Sequence, residues 1–139
     1  MSRRTARKNA FFVLYQSDVT GSPVEEIFRR WRSYRGELQS YSVEIARGVQ
    51  ERREELDALL SEVAVGWPVS RMSFVDRTIL RIGLYEMLNV EDVPPEVAIN
   101  EAVELARGFS GEEAPGFVGG VLRGAESRVF GGVGHAPGD

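Results

Sequence analysis

The chain has 139 residues, a formal net charge of −4, no cysteine and a single histidine, His135. This composition excludes thiol catalysis, disulfides and zinc–thiolate sites, and it argues against a catalytic triad or a histidine-based metal site. Apolar residues make up 42% of the chain, which is enough for the core of one domain. No apolar run approaches the roughly 20 residues that cross a bilayer, and the N-terminus lacks the apolar segment of a signal peptide. We therefore expect a cytoplasmic protein with no membrane contact.

Apolar residues recur at spacings of three and four in most windows, and this period predicts an all-α fold. Signals for helix ends divide the first half into three helices, expected over residues 3–18, 23–34 and 38–63. Ser2 is the expected N-cap of the first helix, and a bend is expected around Gly48 or Arg53 in the third. Residues 66–68, Gly-Trp-Pro, are the expected joint between two subdomains that span residues 1–66 and 67–130.

The second half opens with Ser73 three residues before Asp76, which is a capping-box pattern with aspartate in place of the preferred glutamate. The helix behind this pattern is apolar on most sides, as expected of a central buried helix. Pro94 and Pro95 end that segment and supply the first residue of the next helix. A last helix is expected over residues 112–130, and residues 131–139 are expected to form a disordered tail.

The charge is distributed unevenly along the chain. Residues 1–53 carry a net charge of +5, whereas residues 54–139 carry a net charge of −9. Lys8 is the only lysine among the 17 basic residues. Arginine suits bidentate contacts to phosphate, although a GC-rich genome produces the same bias. A basic half and an acidic half can serve two different partners.

Basic and aromatic side chains form one stripe along the first helix. At about 100° per residue, the members of the stripe fall within about 60° of one another. They are Arg4, Lys8, Phe11 and Tyr15, flanked by Arg3 and Arg7. Cations beside aromatic faces suit single-stranded nucleic acid, because the cations hold phosphates and the bases stack on the rings. The alternative is that the two aromatic residues belong to the core and that the cations form a solvated terminus.

Three other features of the sequence are functional candidates. Asp76 is either an ordinary first-turn acid or a surface contact. Glu101 and Glu104 lie three residues apart on a helix, but without a histidine or a second carboxylate pair they do not predict a metal site. Gly119 and Gly120 interrupt a helical pattern, which indicates close helix packing or the approach of a partner's backbone. No phosphate-binding glycine motif is present, and no cofactor is expected.

Four segments together carry a resemblance to a known family. They are residues 4–16 (RTARKNAFFVLYQ), 75–86 (VDRTILRIGLYE), 93–106 (VPPEVAINEAVELA) and 117–122 (FVGGVL). In order and spacing the chain resembles the NusB family of bacterial transcription antitermination proteins over about residues 3–125. The last three segments together are specific, whereas the first alone is weak. The family usually has asparagine where this chain has Gly119, so a contact made through that amide is not expected here.

The resemblance implies about seven helices in two small packed bundles, and a binding protein without catalysis. It implies binding to the boxA element of ribosomal RNA leader transcripts together with NusE, a small-subunit ribosomal protein. The pair acts on the RNA polymerase elongation complex and suppresses premature termination. With the stripe, it assigns RNA binding to Arg3, Arg4, Arg7, Lys8 and Tyr15. It assigns the NusE-facing surface to Tyr15, Asp76, Phe109, Glu113 and Phe117.

Two alternatives stay open at this point. One is an RNA-binding domain of the kind fused to ribosomal RNA methyltransferases, which has a similar fold. The other is a purely protein-binding helical module or homodimer, with the first helix buried between subunits. Within the favoured interpretation, the acidic second half offers a complementary field to a basic ribosomal protein, and the basic first helix remains for phosphates.

Overall fold

The computed structural model describes residues 2–131, and most of these residues lie in helices. The α-helices are α1 (Arg3–Thr20), α2 (Val24–Arg35), α3 (Ser40–Glu51), α4 (Arg53–Val63), α5 (Phe74–Asn89), α6 (Pro95–Phe109) and α7 (Ala114–Glu126). A 3₁₀ turn (Val69–Arg71) precedes α5, and a π-helical turn (Ser127–Gly131) follows α7. The all-α prediction is confirmed. The expected tail lies outside the described residues, apart from Gly131.

The helix ends follow the signals in the sequence. The Ser2 hydroxyl accepts a hydrogen bond from the backbone N–H of Thr5 at 3.2 Å, and Ser73 accepts one from Asp76 at 3.0 Å. Gly21 ends α1 with a φ of 77°, a left-handed conformation that glycine adopts without steric cost. The expected third helix is divided at Arg52 into α3 and α4, beside Arg53, one of the two positions where a bend was predicted.

The expected last helix is shorter than predicted and changes its type before it ends. It begins at Ala114 instead of residue 112, and its regular α-helical part ends at Glu126. The wider turn over Ser127–Gly131 then carries the chain onward. Apolar spacing is nearly the same in both helix types over so few residues, so the pattern in the sequence does not separate them.

Helix α5 lies at the centre and contacts α1, α3, α4, α6 and α7. Every residue from Thr78 to Met87 is buried, as the apolar pattern of this segment predicted. Tyr85 packs its ring directly against Gly48 of α3, where a Cβ atom would overlap the ring. The buried side chains of both halves form one continuous cluster, and the subdomain boundary at residues 66 and 67 stays a prediction.

Two charged residues of α5 are buried with the apolar ones, and one of them, Arg81, belongs to an ionic cluster. Arg81 donates to Asp57 of α4 at 2.8 Å and to Asp18 of α1 at 3.3 Å. Arg77 also donates to Asp18, at 2.7 Å, and Arg53 approaches it to 3.3 Å. The cluster therefore ties α1, α4 and α5 together.

Within residues 2–131, no helix is long and apolar enough to cross a bilayer.

Candidate RNA-binding and partner-binding surfaces

The N-terminal half of α1 holds the predicted RNA-binding cations, and they differ in exposure and pairing. Lys8 is exposed and forms no ion pair among residues 2–131. The Arg4 side chain is 68% exposed, and its guanidinium donates to both carboxylate oxygens of Glu101 at 2.8 and 3.1 Å. Arg3 donates to Asp92 at 3.1 Å. Both arginines are therefore exposed at the surface but already neutralised by acids from the second half.

Arg7 lies beneath this surface. It is 5% exposed, and its Nε donates to both Glu86 oxygens at 2.8 Å. Its Nη1 donates to Glu101 at 3.3 Å. The Tyr41 hydroxyl donates to Glu86 as well, and burial, followed by this carboxylate, raises the pKa of Tyr41 above its usual range. A phosphate in solvent cannot reach the Arg7 guanidinium in this arrangement. The geometry supports a positioning role for Arg7, which joins α1 to α5 and α6.

A groove of about 370 Å³ runs between α1 and α6, with Arg4 and Lys8 on one side and Glu101, Glu104 and Phe109 on the other. The hydrogen bond from Arg4 lowers the pKa of Glu101 below its usual range, against the opposing effect of burial. Glu104 does not join Glu101 but pairs with the arginine three residues further along the chain, at 3.2 Å. The two carboxylates therefore do not converge as metal ligands would.

The aromatic residues of the α1 stripe divide between core and surface. Phe11 is 2% exposed and stacks on Phe109 with 5.0 Å between ring centroids. Phe12 meets Phe109 edge-on at 5.3 Å. Tyr15 is half-buried, and its ring centroid lies 6.0 Å from that of Phe11. Phe11 therefore follows the core alternative left open for the stripe, whereas Tyr15 and Phe109 stay accessible in part.

A second surface brings together three of the predicted partner-facing residues. Asp76, Glu113 and Phe117 line one depression of about 690 Å³, together with Trp67 and Glu112. Trp67 is 54% exposed and meets the Phe117 ring edge-on at 6.1 Å. Three carboxylates thus surround an accessible aromatic pair. An apolar centre with an acidic rim suits a basic protein partner.

Asp76 is both a structural residue and a member of this surface. Its backbone N–H is capped by Ser73, as predicted, and its carboxylate accepts a hydrogen bond from the Ser110 hydroxyl at 2.6 Å. It therefore fastens the start of α5 to the end of α6, beside the loop that leads into α7. Tyr15 and Phe109 do not line this depression; they lie in the aromatic cluster between α1 and α6.

Gly119, the departure from the family pattern, is buried where α7 packs on α6. A Cβ atom at this position would lie 3.3 Å from a Val103 methyl carbon and 3.1 Å from the Arg123 guanidinium. A side chain here would therefore have to displace its neighbours slightly. The absence of the asparagine allows α7 to approach α6 closely, and Gly119 does not line the partner-facing depression.

Sequence reasoning missed the roles of four residues that shape these surfaces. Glu86 and Glu101 hold the α1 arginines, and a glutamate within a helix that is apolar on most sides was a signal that Glu86 needs a buried partner. Trp67 was expected only as part of the joint between subdomains. A large aromatic residue between glycine and proline does not belong to a helix of the core, and this was a signal that its ring is exposed. No signal distinguished Glu112 from other surface acids.

Comparison with known proteins identifies the family. The model of the NusB family matches residues 4–127. "Transcription antitermination protein NusB" from Rubrobacter xylanophilus is 72% identical over 134 residues, which is 96% of each chain. The structure of T. maritima NusB superposes with a TM-score of 0.81 at 32% identity, covering 91% of this chain and 92% of that one.

A crystal structure of antitermination factors NusB and NusE in complex with dsRNA contains a chain that is 25% identical to this one. It superposes with a TM-score of 0.80 and covers 91% of this chain and 96% of its own. The similarity in fold and sequence extends over nearly all of the described helices, and the chain belongs to the NusB family.

Proposed function

We propose that this protein is an RNA-binding transcription antitermination factor that binds the boxA element of ribosomal RNA leader transcripts together with NusE. The observation that carries the proposal is the basic N-terminal end of α1, with exposed Arg4 and Lys8, on a chain 72% identical to a transcription antitermination protein. The complex with dsRNA that contains a similar chain supports RNA as the ligand and NusE as the partner. The site of action is the elongating RNA polymerase in the cytoplasm.

The RNA-binding side of the proposal rests on the groove between α1 and α6. Lys8 offers an ammonium that has no ion-pair partner among residues 2–131, and Arg3 and Arg4 are exposed guanidiniums that can exchange a carboxylate for a phosphate. Arg7 supports the surface from below through its ion pair with Glu86. The half-buried Tyr15 lies further along the same helix. Few phosphate contacts are available here, so the protein alone should bind RNA weakly and with a shallow salt dependence.

The partner-binding side rests on the acidic depression that contains Asp76, Glu113 and Phe117. Its aromatic pair supplies apolar contact area and its carboxylates complement a basic ribosomal protein. Tyr15 and Phe109 lie in the aromatic cluster between α1 and α6, outside the acidic depression. We assign them to the edge of the partner contact that adjoins the RNA. A partner held there extends the RNA contact and increases the number of counterions released.

The test is a titration of fluorescent boxA RNA with the protein, alone and with purified NusE, at two salt concentrations. We expect affinity to rise sharply when NusE is present, and to rise less for a scrambled RNA. The variant Phe117→Ala should remove the NusE-dependent gain but keep the weak binding of the protein alone. Equal affinity with and without NusE contradicts the proposal, and so does a complete lack of binding under both conditions.

A further inference from the structure

The last seven residues of α2 carry a concentration of positive charge that the proposed RNA and partner surfaces do not use. Four of the seven residues from 29 to 35 are arginines, and none of the seven is acidic. All four arginines are exposed. Arg30 pairs with Glu26 at 3.1 Å, but the other three have no carboxylate partner within the described part of the chain. These three are Arg29, Arg32 and Arg35.

A tyrosine lies among these arginines and is nearly fully exposed. Tyr34 has 88% of its surface accessible, the largest exposure among the large apolar side chains of the described residues. Arginines in the last turn of a helix stabilise its dipole, which explains Arg32 and Arg35 without any ligand. It does not explain Arg29, which lies a full turn earlier, or the solvated aromatic ring. Guanidiniums beside an accessible aromatic face form a surface that binds phosphates and stacks bases.

The segment that follows α2 packs against the first half of α1, which carries the α1 cations. The chain leaves α2 and returns to the first half of α1, where Asn9 donates to Gln39 at 3.1 Å. The Ser42 hydroxyl reinforces this return by donating to the Ala6 carbonyl at 2.7 Å. Gln39 is four residues beyond Arg35, a span of at most about 14 Å. Asn9 is the immediate neighbour of Lys8, so an extended polymer bound at α1 can continue onto α2.

We propose that Arg29, Arg32 and Arg35, together with Tyr34, form a second RNA-binding surface. It binds the phosphodiester backbone of single-stranded RNA that flanks the segment held at α1, and Tyr34 stacks on an unpaired base. The inference rests on the proposed function and extends it, since the flanking RNA reaches α2 only when α1 holds the same molecule. This surface reads charge and not sequence, because guanidinium–phosphate contacts carry no base information.

The test compares two RNAs and two variants of equal charge. One RNA is the boxA element alone, and the other is the same element extended by uridines at both ends. The variant R29Q/R32Q/R35Q removes the surface. The control R52Q/R71Q/R128Q removes three exposed arginines from the junction of α3 and α4, the 3₁₀ turn and the π-helical turn. Circular dichroism should show the same helix content in both variants, because none of the six side chains is buried.

We expect the α2 variant to match the wild type on the short RNA and to lose affinity on the extended RNA. Three lost phosphate contacts lower the slope of log K against log salt by about 2 for a single strand, so that between roughly 50 and 200 mM salt the wild type loses about 20-fold more affinity for the extended RNA than the variant does. Tyr34→Ala should lower the affinity for the extended RNA by about fivefold without changing the slope of log K against log salt, since stacking releases no counterions. The charge-matched control should follow the wild type.

Three outcomes overturn the inference. The first is an α2 variant that binds the extended RNA as the wild type does. The second is an equal loss on both RNAs, which would place the arginines within the primary site instead of a flanking one. The third is unchanged RNA binding with a weakened NusE complex, which would assign α2 to a protein partner. If the wild type binds neither RNA, the proposed function itself fails, and the two failures are therefore distinguishable.

Discussion

Replacing Arg7 with methionine should destabilise the protein strongly, although Arg7 was expected from the sequence to act on RNA. The change keeps an unbranched side chain but removes the only cation that contacts the Glu86 carboxylate among residues 2–131. Glu86 is 1% exposed, so its charge stays buried with the Tyr41 hydroxyl as its remaining donor. Breaking a buried ion pair from one side costs about 3–5 kcal/mol, a large part of the roughly 5–15 kcal/mol that stabilises a domain.

The loss should be visible in both chemical and thermal unfolding. For a chain of this length, about 3–5 kcal/mol corresponds to a fall of about 10–17 °C in Tm. The double variant Arg7→Met/Glu86→Gln removes the stranded charge and leaves an amide oxygen that still accepts from Tyr41. It should recover at least half of the lost free energy of unfolding. Urea unfolding followed by circular dichroism gives both values, provided the m-value is unchanged.

RNA binding distinguishes the positioning role from direct contact. The double variant should keep the salt slope of the wild type, because a buried guanidinium contacts no phosphate and releases no counterion. A slope lower by about 0.7, the amount expected for one phosphate contact on a single strand, would show that Arg7 reaches the RNA. An Arg7→Met variant within about 1 kcal/mol of the wild type would refute the buried-pair reasoning.

Three further predictions concern charge and packing. Arg4→Gln should lower the salt slope of RNA binding by about 0.7 and leave the free energy of unfolding unchanged, whereas the control Arg52→Gln should change neither. Asp18→Asn should destabilise the protein at neutral pH. Burial raises the pKa of Asp18, but three arginines outweigh that effect and lower it. The stabilisation is therefore present above the unfolded pKa of about 3.9 and is lost as the pH falls through the lower folded pKa. The difference between wild type and variant in urea unfolding should accordingly shrink below about pH 4; a difference that grows there would contradict this reasoning. Gly48→Ala should lower Tm, because its Cβ would overlap a buried aromatic ring. Gly120→Ala should raise the stability by up to about 1 kcal/mol, since it lies in a helix with open space around it. Equal effects of the two alanines would refute the packing argument.

The ends of the helices could be predicted because they depend on local chemistry. Ser2 and Ser73 cap their helices, Gly21 ends α1, and Pro95 begins α6, each through contacts with residues only a few positions away. The division at Arg52 was predictable only as a bend around Gly48 or Arg53, because no side-chain cap marks it, although the backbone there departs clearly from helical angles, with φ of −107° and ψ of 15°. Local signals therefore locate most of the helix ends, and they give little about which elements meet.

The depth of Arg7 could have been predicted from its position on α1. It shares a face with Phe11 and Leu14, four and seven residues further along, and both are buried. Charged residues are generally exposed, but the spacing of Arg7 from Phe11 and Leu14 places it on the buried face, and the structure follows the spacing. The identity of its partner was not accessible in the same way, because Glu86 is 79 residues distant. Periodicity thus indicates which face of a helix is buried, whereas the pairing of charges across helices depends on tertiary structure.

The pairing of the α1 cations with the acidic half of the chain bears directly on how RNA is held. When a phosphate replaces Glu101 as the partner of Arg4, the free energy gained is only the difference between two ion pairs. A phosphate that binds Lys8 displaces no carboxylate among residues 2–131. Glu101 is not left unsatisfied by this exchange, because Arg7 stays within 3.3 Å of it. The exchange therefore costs little free energy, but it also adds little to the affinity for RNA. For this reason tight binding requires contacts beyond α1, from a partner on the acidic depression or from arginines such as Arg29, Arg32 and Arg35, which pair with no carboxylate among residues 2–131.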